Sequence, residues 1–243
     1  MLHGGQQGLF DLFFRIPAEC ADLVASGQAD IGIIPCFELV RNTYGVVPRV
    51  GIASRGPVRS ILLISKIPAA EIRTLAADSS SRSSVALARI LLAEKFGASP
   101  EVTRHDPQLE KMLIEADAAL VIGDPALRLD PATLPFRVYD LGQEWTEFTG
   151  LPMVYAVWAG PEAFITPEVS LAFQESCRYG LERLEEIAIA ESPARGISVQ
   201  LGLSYLQRNL ICELDGDCMR GLETYLAYTR KLQEADSRAS VKI

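Results

Sequence analysis

Apolar runs and amphipathic segments alternate regularly through the middle of the chain. Short apolar runs are typical of buried strands, whereas apolar residues spaced three or four positions apart indicate helices. A strand–helix–strand rhythm of this kind predicts α/β structure with a parallel sheet and right-handed crossover connections. The predicted elements are strand 74–77, helix 83–96, strand 101–104, helix 107–115 and strand 118–122.

Two strongly apolar segments, 58–64 and 153–158, bracket this block and are predicted to be further strands. The simplest arrangement is two α/β lobes, with the second lobe inserted into the first. We therefore predict that residues 1–66 and 151–243 form lobe 1 and that residues 67–150 form lobe 2. Ligands of α/β proteins bind at the carboxyl ends of strands and between domains, so the binding site is expected between the lobes.

After Gly160 the pattern changes, and only helices are predicted from there to the end of the chain. These predicted helices are 166–190, 198–212 and 217–234. One stripe of apolar residues has the spacing of a single helix face and is therefore predicted to face the core. Its members are Leu171, Cys177, Leu181, Leu184 and Ile187.

The formal net charge of −8 argues against a general nucleic-acid-binding protein, because such a protein needs a basic surface. The five cysteines form no C-x-x-C pair, which argues against a disulfide framework or a zinc site. No run approaches the ~18 apolar residues of a membrane span, and the first residues lack the basic-then-apolar pattern of a secretory leader. We therefore expect a cytoplasmic protein with no nucleic-acid or membrane partner.

A serine-rich stretch, Asp78 to Val85, lies between a predicted strand and a predicted helix. Free backbone N–H groups and the helix dipole make such a helix start attractive to anions. The alternative is an ordinary serine N-cap with spare serines in a loop. We call the stretch from Asp78 to Val85 the serine turn. Its Arg82 is expected either to pair with a bound anion or to pair with Asp78 at the surface.

Four separated segments stand in a fixed order along the chain. The segments are Ile52 to Ser60 with its Ser-Arg-Gly-Pro turn, Asp78 to Leu87, Leu120 to Leu127 with Gly123-Asp124-Pro125, and Asp140-Leu141-Gly142 followed by Trp145 and Thr149-Gly150-Leu151-Pro152. In order and spacing they resemble the chorismate dehydratases of the futalosine route to menaquinone. The resemblance also takes in Pro17 to Pro35 and the helical tail, so it covers nearly the whole chain.

This resemblance implies a two-lobed fold like that of the type 2 periplasmic binding proteins, with a helical C-terminal tail. The implied reaction removes water from chorismate and gives 3-[(1-carboxyvinyl)oxy]benzoate. The resemblance implies neither a metal nor an organic cofactor, and the one partner that it implies is the small-molecule substrate.

Residues in the resembling segments are the candidate substrate contacts. Hydroxyls and backbone N–H groups at a helix start bind a carboxylate without the full desolvation cost of a buried ion pair. The serine turn is therefore expected to hold a carboxylate, and the Ser-Arg-Gly-Pro segment is expected to form the facing wall. The candidates are Ser80, Ser81, Arg82, Ser83, Ser84, Gly56, Val58, Ser60, Gly123, Asp124, Thr149 and Gly150.

No general base is evident in these segments. His3 and His105 are the only histidines, and neither lies in a resembling segment. The dehydration removes a proton from C3 and hydroxide from C4, and we hypothesise that the substrate's own enolpyruvyl carboxylate accepts the proton. Glu19 and Glu38 are the protein carboxylates to check as alternative acceptors.

Members of the resembled family begin with a strand and a Tyr-Leu-Asn-type motif, whereas this sequence begins downstream of that motif. We expect that the reading frame starts upstream of Met1; the alternative is a short protein that has lost the first strand. Three other functions remain open from the sequence: a small-anion solute-binding protein, the related naphthoate-forming enzyme of the same pathway, and an inactive truncated paralogue.

Overall fold

The computed structural model describes residues 1, 3–78 and 80–240, and within them it contains two β-sheets flanked by helices. Both sheets form from apolar segments, and nearly every residue of the central strands is buried. The strands are β1 (Gly32–Pro35), β2 (Gly45–Ser54), β3 (Ile61–Ser65), β4 (Thr74–Asp78), β5 (Glu101–His105), β6 (Ala118–Ile122), β7 (Arg137–Asp140), β8 (Met153–Gly160) and β9 (Ile211–Glu213).

The α-helices cover the faces of the two sheets and make up most of the C-terminal third. They are α1 (Pro17–Ala25), α2 (Glu38–Arg41), α3 (Arg82–Glu94), α4 (Leu109–Glu115), α5 (Asp124–Arg128), α6 (Leu141–Thr149), α7 (Pro167–Leu181), α8 (Leu184–Glu191), α9 (Val199–Arg208) and α10 (Gly216–Ser240). No helix in the described part of the chain is long and apolar enough to cross a membrane.

The first sheet has the strand order β1-β8-β2-β9, and every neighbouring pair is antiparallel. The second has the order β5-β4-β6-β3-β7 and is mixed, because only the pairs of β4 with β5 and β6 are parallel. The strand–helix rhythm of residues 74–122 therefore predicted a parallel core correctly. It could not show that β3 and β7 join this sheet in the opposite direction.

The strand predicted at residues 58–64 begins later, at Ile61, and lies in the second sheet. Its neighbours are β6 and β7, although the predicted boundary at residue 66 placed it in lobe 1. The chain therefore crosses between the sheets over residues 55–60. Arg59 in this crossover has φ 67°, and a non-glycine residue in that conformation interrupts an extended strand.

The C-terminal third differs from the sequence prediction in three respects. A strand is present, because β9 pairs with the edge of β2. The first predicted tail helix is divided into α7 and α8, and the second ends at Arg208. Leu171 is 52% exposed, so its predicted core position is wrong. In its place Phe173 faces the core, where its ring packs edge-on against Trp158.

The last helix, α10, packs against β8 of the first sheet and against α3 and α6, which flank the second sheet. The hydroxyl of Tyr225 donates to the carbonyl of Ser83 at the start of α3, over 3.1 Å. Arg89 on α3 forms two hydrogen bonds with Asp236. The fully buried ring of Trp145 on α6 packs edge-on against Tyr225. The helical tail is therefore an integral part of the two-sheet core.

Candidate active site between the two sheets

The strand registers bring four chain segments to one edge of the second sheet. Ile61 at the start of β3 pairs with Ile122 at the end of β6, and Leu62 pairs with Asp140 at the end of β7. β4 runs parallel to β6, so Asp78 at its end lies at the same edge. Because neighbouring strands are about 4.8 Å apart, β4 and β7 lie about 14 Å apart along this edge.

The facing edge of the first sheet carries the end of β1, the end of β2 and the start of β8. Cys36 follows β1, and its N–H donates to the carbonyl of Tyr155 on β8 over 3.0 Å. The Cys36 thiol also lies 3.4 Å from the Ser83 hydroxyl of the second lobe. The two edges therefore meet here. We call this region the interlobe seam and define it by Cys36, Ser54, Ser60, Ser83, Asp140 and Tyr155.

The serine turn has the contacts of a helix N-cap. Asp78 accepts the N–H of Ser80 over 2.9 Å, which closes a local turn. Ser81 is the N-cap of α3, and its hydroxyl oxygen accepts both the N–H and the hydroxyl of Ser84. Residue 79 lies outside the described residues. The N-cap alternative is thus the one that these contacts match, and a role in ligand binding stays a prediction.

Ser83 is buried and connects α3 to the first lobe through hydrogen bonds. Its hydroxyl oxygen accepts the N–H of Phe37 over 3.2 Å, in addition to its contact with Cys36. Burial raises the pKa of the Cys36 thiol to about 12, and this thiol donates to the carbonyl of Val154. The thiol therefore remains neutral at physiological pH and holds the two edges of the seam together.

Arg82 pairs with two carboxylates of the first lobe and not with Asp78. Its guanidinium binds Glu38 over 2.8 Å and Asp22 over 2.8 Å, and these two hydrogen bonds are the main causes that raise its pKa. The predicted pairing with Asp78 is wrong, because Asp78 instead accepts the N–H of Ser80. Arg82 thus connects the second lobe to α1 and α2 of the first.

Replacing Arg82 with methionine is expected to lower the free energy of unfolding by about 1–2 kcal/mol. The substitution leaves Glu38, whose side chain is 5% exposed, without its cation, and Arg82 itself is only partly buried. Adding Glu38→Gln to this variant removes the unpaired charge and is expected to restore part of the loss. Urea denaturation of the single and double variants checks this, and equal stability of all three proteins would contradict it.

Neither of the two carboxylates considered as proton acceptors is among the residues that define the seam. Glu38 is buried but engaged with Arg82, and Glu19 is exposed on the outer face of α1. Glu19 borders a depression of about 420 Å³ that α1 shares with Arg15 and Gln28. A larger depression of about 760 Å³, near Ile67 and Asp117, also lies away from the seam.

Asp140 organises the crossover between the lobes. Its carboxylate accepts the N–H groups of Val58 and Arg59 over 2.9 and 2.6 Å. It also accepts the N–H groups of Gly142 and Gln143, and it thereby caps the start of α6. Burial raises the pKa of Asp140, while these four donors act in the opposite direction. The N–H group of Val58, a predicted substrate contact, is therefore already bound to the protein.

Gly56 has φ +80°, a conformation that favours glycine, and its N–H donates to the hydroxyl of Thr146. Its carbonyl accepts the hydroxyl of Ser54 over 3.3 Å. The hydroxyl oxygens of Ser54 and Tyr155 are 2.8 Å apart. An ideal Cβ at Gly142 would lie 2.7 Å from each of these two oxygens, so this part of the seam is tightly packed.

Ser60 forms a second hydroxyl pair, in which its oxygen lies 3.0 Å from the hydroxyl of Tyr205 on α9. Its carbonyl accepts the N–H of Gly123 over 2.7 Å. Asp124 follows Gly123 and lies 3.9 Å from the guanidinium of Arg195. Ser60, Gly123 and Asp124 are thus brought together at the edge of the second sheet, beside the helical tail.

The remaining predicted pair, Thr149 and Gly150, lies at the far end of α6. The hydroxyl of Thr149 donates to the carbonyl of Trp145, and Gly150 has φ +73° as the helix C-cap. The nine residues of α6 separate them from Asp140 by about 13 Å along the helix axis. They shape the connector into β8, and neither has a hydrogen bond with a seam residue in the described part of the chain.

Sequence reasoning did not single out Tyr155 and Tyr205. Tyr155 is a residue with a polar tip inside the apolar run 153–158, and a buried hydroxyl of this kind requires a partner. Tyr205 lies in a helix that was assigned to the tail, and its proximity to Ser60 depends on a contact between residues 145 positions apart.

Comparison with known proteins places the chain in a family. A family model described as menaquinone biosynthesis matches residues 2–231. The chorismate dehydratase of Thermus thermophilus is 32% identical over 215 residues, covering 81% of this chain and 79% of the relative.

Solved structures match the fold at low sequence identity. A protein from Archaeoglobus fulgidus is 18% identical with a TM-score of 0.65, covering 93% of this chain and 86% of that one. A Candida albicans protein with the generic periplasmic binding protein fold is 12% identical with a TM-score of 0.56, covering 87% and 76%. The two-lobed fold predicted from the sequence is confirmed, and the chain belongs to the menaquinone biosynthesis family.

Proposed function

We propose that this protein is a hydro-lyase that converts chorismate to 3-[(1-carboxyvinyl)oxy]benzoate in menaquinone biosynthesis. Family membership and the dehydratase relative from Thermus thermophilus support the proposal. The observation that carries it within the molecule is the seam itself. Hydroxyl groups from both sheets, together with the N-terminus of α3, converge there at the edges where strands end.

The proposed reaction breaks the C3–H and C4–O bonds of chorismate and forms a ring double bond. The electron pair of the C3–H bond becomes the new π bond, and hydroxide leaves from C4. Aromaticity makes the reaction favourable, so the protein has to orient the substrate, hold its two carboxylates and exclude water. Neutral O–H and N–H donors are suited to this task, because they bind carboxylates without burying a further full charge.

The serine turn supplies the donors for one carboxylate in this proposal. Ser80 and Ser81 lie at the N-terminal end of α3, where the helix dipole favours negative charge. Ser83 and Ser84 stabilise the turn through the contacts described above. Gly56 and Ser60, in the crossover between the sheets, supply further contacts to the substrate in this proposal.

The proton from C3 is proposed to pass to the substrate's own enolpyruvyl carboxylate and then to the departing hydroxide, which leaves as water. Two observations favour the substrate's own carboxylate as the acceptor: Glu38 is engaged with Arg82, and Glu19 is exposed on α1. A structure with bound substrate tests this step. An aspartate or glutamate within about 3 Å of the C3 proton would contradict it.

Purified protein incubated with chorismate is expected to consume it and release the aromatic enol ether, detected by chromatography and mass spectrometry. Chorismate decomposes slowly by itself, so heat-inactivated protein serves as the control. Folded protein that converts no chorismate would overturn the proposal, and binding without conversion would instead indicate a solute-binding protein.

A further inference from the structure

The hydroxyl hydrogens of the seam can be counted, because each hydroxyl carries one hydrogen. A pair of hydroxyls uses one hydrogen for its mutual hydrogen bond and retains the other. In the pair of Ser54 and Tyr155 the second hydrogen has an acceptor, since the Ser54 hydroxyl donates to the carbonyl of Gly56. Both hydroxyl hydrogens of this pair therefore have acceptors within the protein.

The pair formed by Ser60 and Tyr205 is different. Among the described residues, its two hydroxyls have only each other as hydrogen-bond partners, so one donor hydrogen has no acceptor. Ser60 is buried, with 5% of its surface exposed, whereas Tyr205 is partly exposed. The pair therefore joins a buried residue of the crossover to a partly exposed residue of α9, at the border of the seam.

Each charged group around the Ser60–Tyr205 pair already has a partner within the protein. Asp140 is bound by four backbone N–H groups, and Asp124 lies 3.9 Å from Arg195. Arg59 donates to the carbonyls of Ala126, Leu127 and Leu129. Burial, with the nearby carboxylates of Asp124 and Asp140, raises the pKa of Tyr205, so its phenol stays protonated at physiological pH. The pair is thus a neutral donor beside charged groups that already have partners within the protein.

The strand order gives the distance between the Ser60–Tyr205 pair and the serine turn. β3 and β4 are separated by β6 alone, so Ser60 lies about two strand spacings, or about 10 Å, from the serine turn. The Ser81 hydroxyl accepts two hydrogen bonds, and its own hydrogen has no acceptor among the described residues. The same edge of the second sheet therefore presents two separate open donors.

We propose that the Ser60–Tyr205 pair is a carboxylate subsite, which binds one of the two carboxylates of the substrate while the serine turn binds the other. This inference rests on the proposed dehydratase function. Tyr205 comes from α9, so the helical tail contributes directly to the site and to selection of dicarboxylate over monocarboxylate ligands.

Tyr205→Phe tests the subsite, because it removes the hydroxyl and keeps the ring. A hydrogen bond to a charged group contributes enough that its loss is expected to weaken binding of the aromatic product about 10- to 100-fold. Ser60→Ala is expected to act in the same direction. The double variant should lose less than the product of the two single effects, because the residues act as one unit. Calorimetry measures the binding, and KM for chorismate should rise with it.

Two monocarboxylate probes show which carboxylate of the product binds the Ser60–Tyr205 pair. 3-Methoxybenzoate lacks the side-chain carboxylate, and 2-phenoxyacrylate lacks the ring carboxylate. Tyr205→Phe should weaken binding of one of these probes and leave the other unchanged. Equal weakening of both, or of neither, would overturn the subsite.

Tyr228→Phe is the matched control, since Tyr228 packs against Trp145 and Phe148 on α10 and its hydroxyl has no hydrogen bond within the described residues. Its binding and its thermal midpoint should equal those of the unaltered protein. Failure of the proposed function has a separate signature, because the unaltered protein would then neither convert chorismate nor bind the product. An active protein whose binding is unchanged by Tyr205→Phe would overturn the subsite alone.

Discussion

Replacing Asp140 with alanine is expected to lower the free energy of unfolding by about 3–5 kcal/mol and to remove measurable turnover. The substitution deprives four backbone N–H groups of their acceptor, in the crossover and at the start of α6. A buried donor without a partner costs about 1–3 kcal/mol, and loss of a helix N-cap costs about 1 kcal/mol. Urea denaturation and the chorismate assay measure the two effects.

Asp140→Asn is the intermediate variant, because it removes fewer hydrogen bonds than Asp140→Ala. Oδ1 of Asp140 accepts the N–H groups of Val58, Gly142 and Gln143, whereas Oδ2 accepts only that of Arg59. An asparagine with its oxygen in the Oδ1 position keeps three of the four bonds and turns its amide NH₂ towards Arg59. Its loss of stability should therefore lie between those of the native protein and the alanine variant. An alanine variant as stable as the asparagine variant would contradict this account.

Gly142→Ala is expected to lower the free energy of unfolding by about 2–3 kcal/mol and to reduce kcat/KM at least tenfold. The added Cβ would lie 2.6 Å from the carbonyl oxygen of Gly56 and 2.7 Å from the hydroxyls of Ser54 and Tyr155. The Ser54 hydroxyl can rotate, but the Gly56 carbonyl and the buried Tyr155 cannot yield without shifting backbone. Overpacking of this kind typically costs about 1–3 kcal/mol.

Gly216→Ala is the control for this substitution, because a Cβ at Gly216 meets no atom within 4 Å. Its stability should stay within about 0.5 kcal/mol of the native protein, and its activity should be unchanged. Thermal unfolding and steady-state kinetics on both variants make the comparison. If Gly142→Ala behaved like Gly216→Ala, the seam would have to be less tightly packed than the contacts at Gly142 indicate.

The sequence predicted the elements that local patterns determine. The apolar run at 153–158 and the alternating segments of residues 74–122 form strands and helices close to the predicted bounds, because burial selects these patterns directly. It did not predict β9. Three residues carry little periodic signal of their own, and Ile211–Glu213 form a strand only because the edge of β2 is there to pair with them.

The side-chain partners in the site were harder to predict, because they come from distant parts of the chain. The local interpretation of Arg82 considered Asp78, four positions away, but its partners Glu38 and Asp22 lie 44 and 60 positions away. Ser83 was predicted as a carboxylate contact, and nothing in the sequence indicated that its hydroxyl oxygen accepts the N–H of Phe37 and lies 3.4 Å from the Cys36 sulfur. Ser60 was among the predicted contacts, whereas its partner Tyr205 belonged to the predicted tail.

The strand order of the two sheets also has a consequence for synthesis on the ribosome. All strands of the second sheet lie between Ile61 and Asp140, so this sheet can close as soon as that stretch has emerged. β1 and β2, although made earlier, both pair with β8 and must wait until Gly160 has been added. The nascent chain therefore carries two unpaired strands beside a finished second sheet, and this is the interval in which it is most exposed to aggregation.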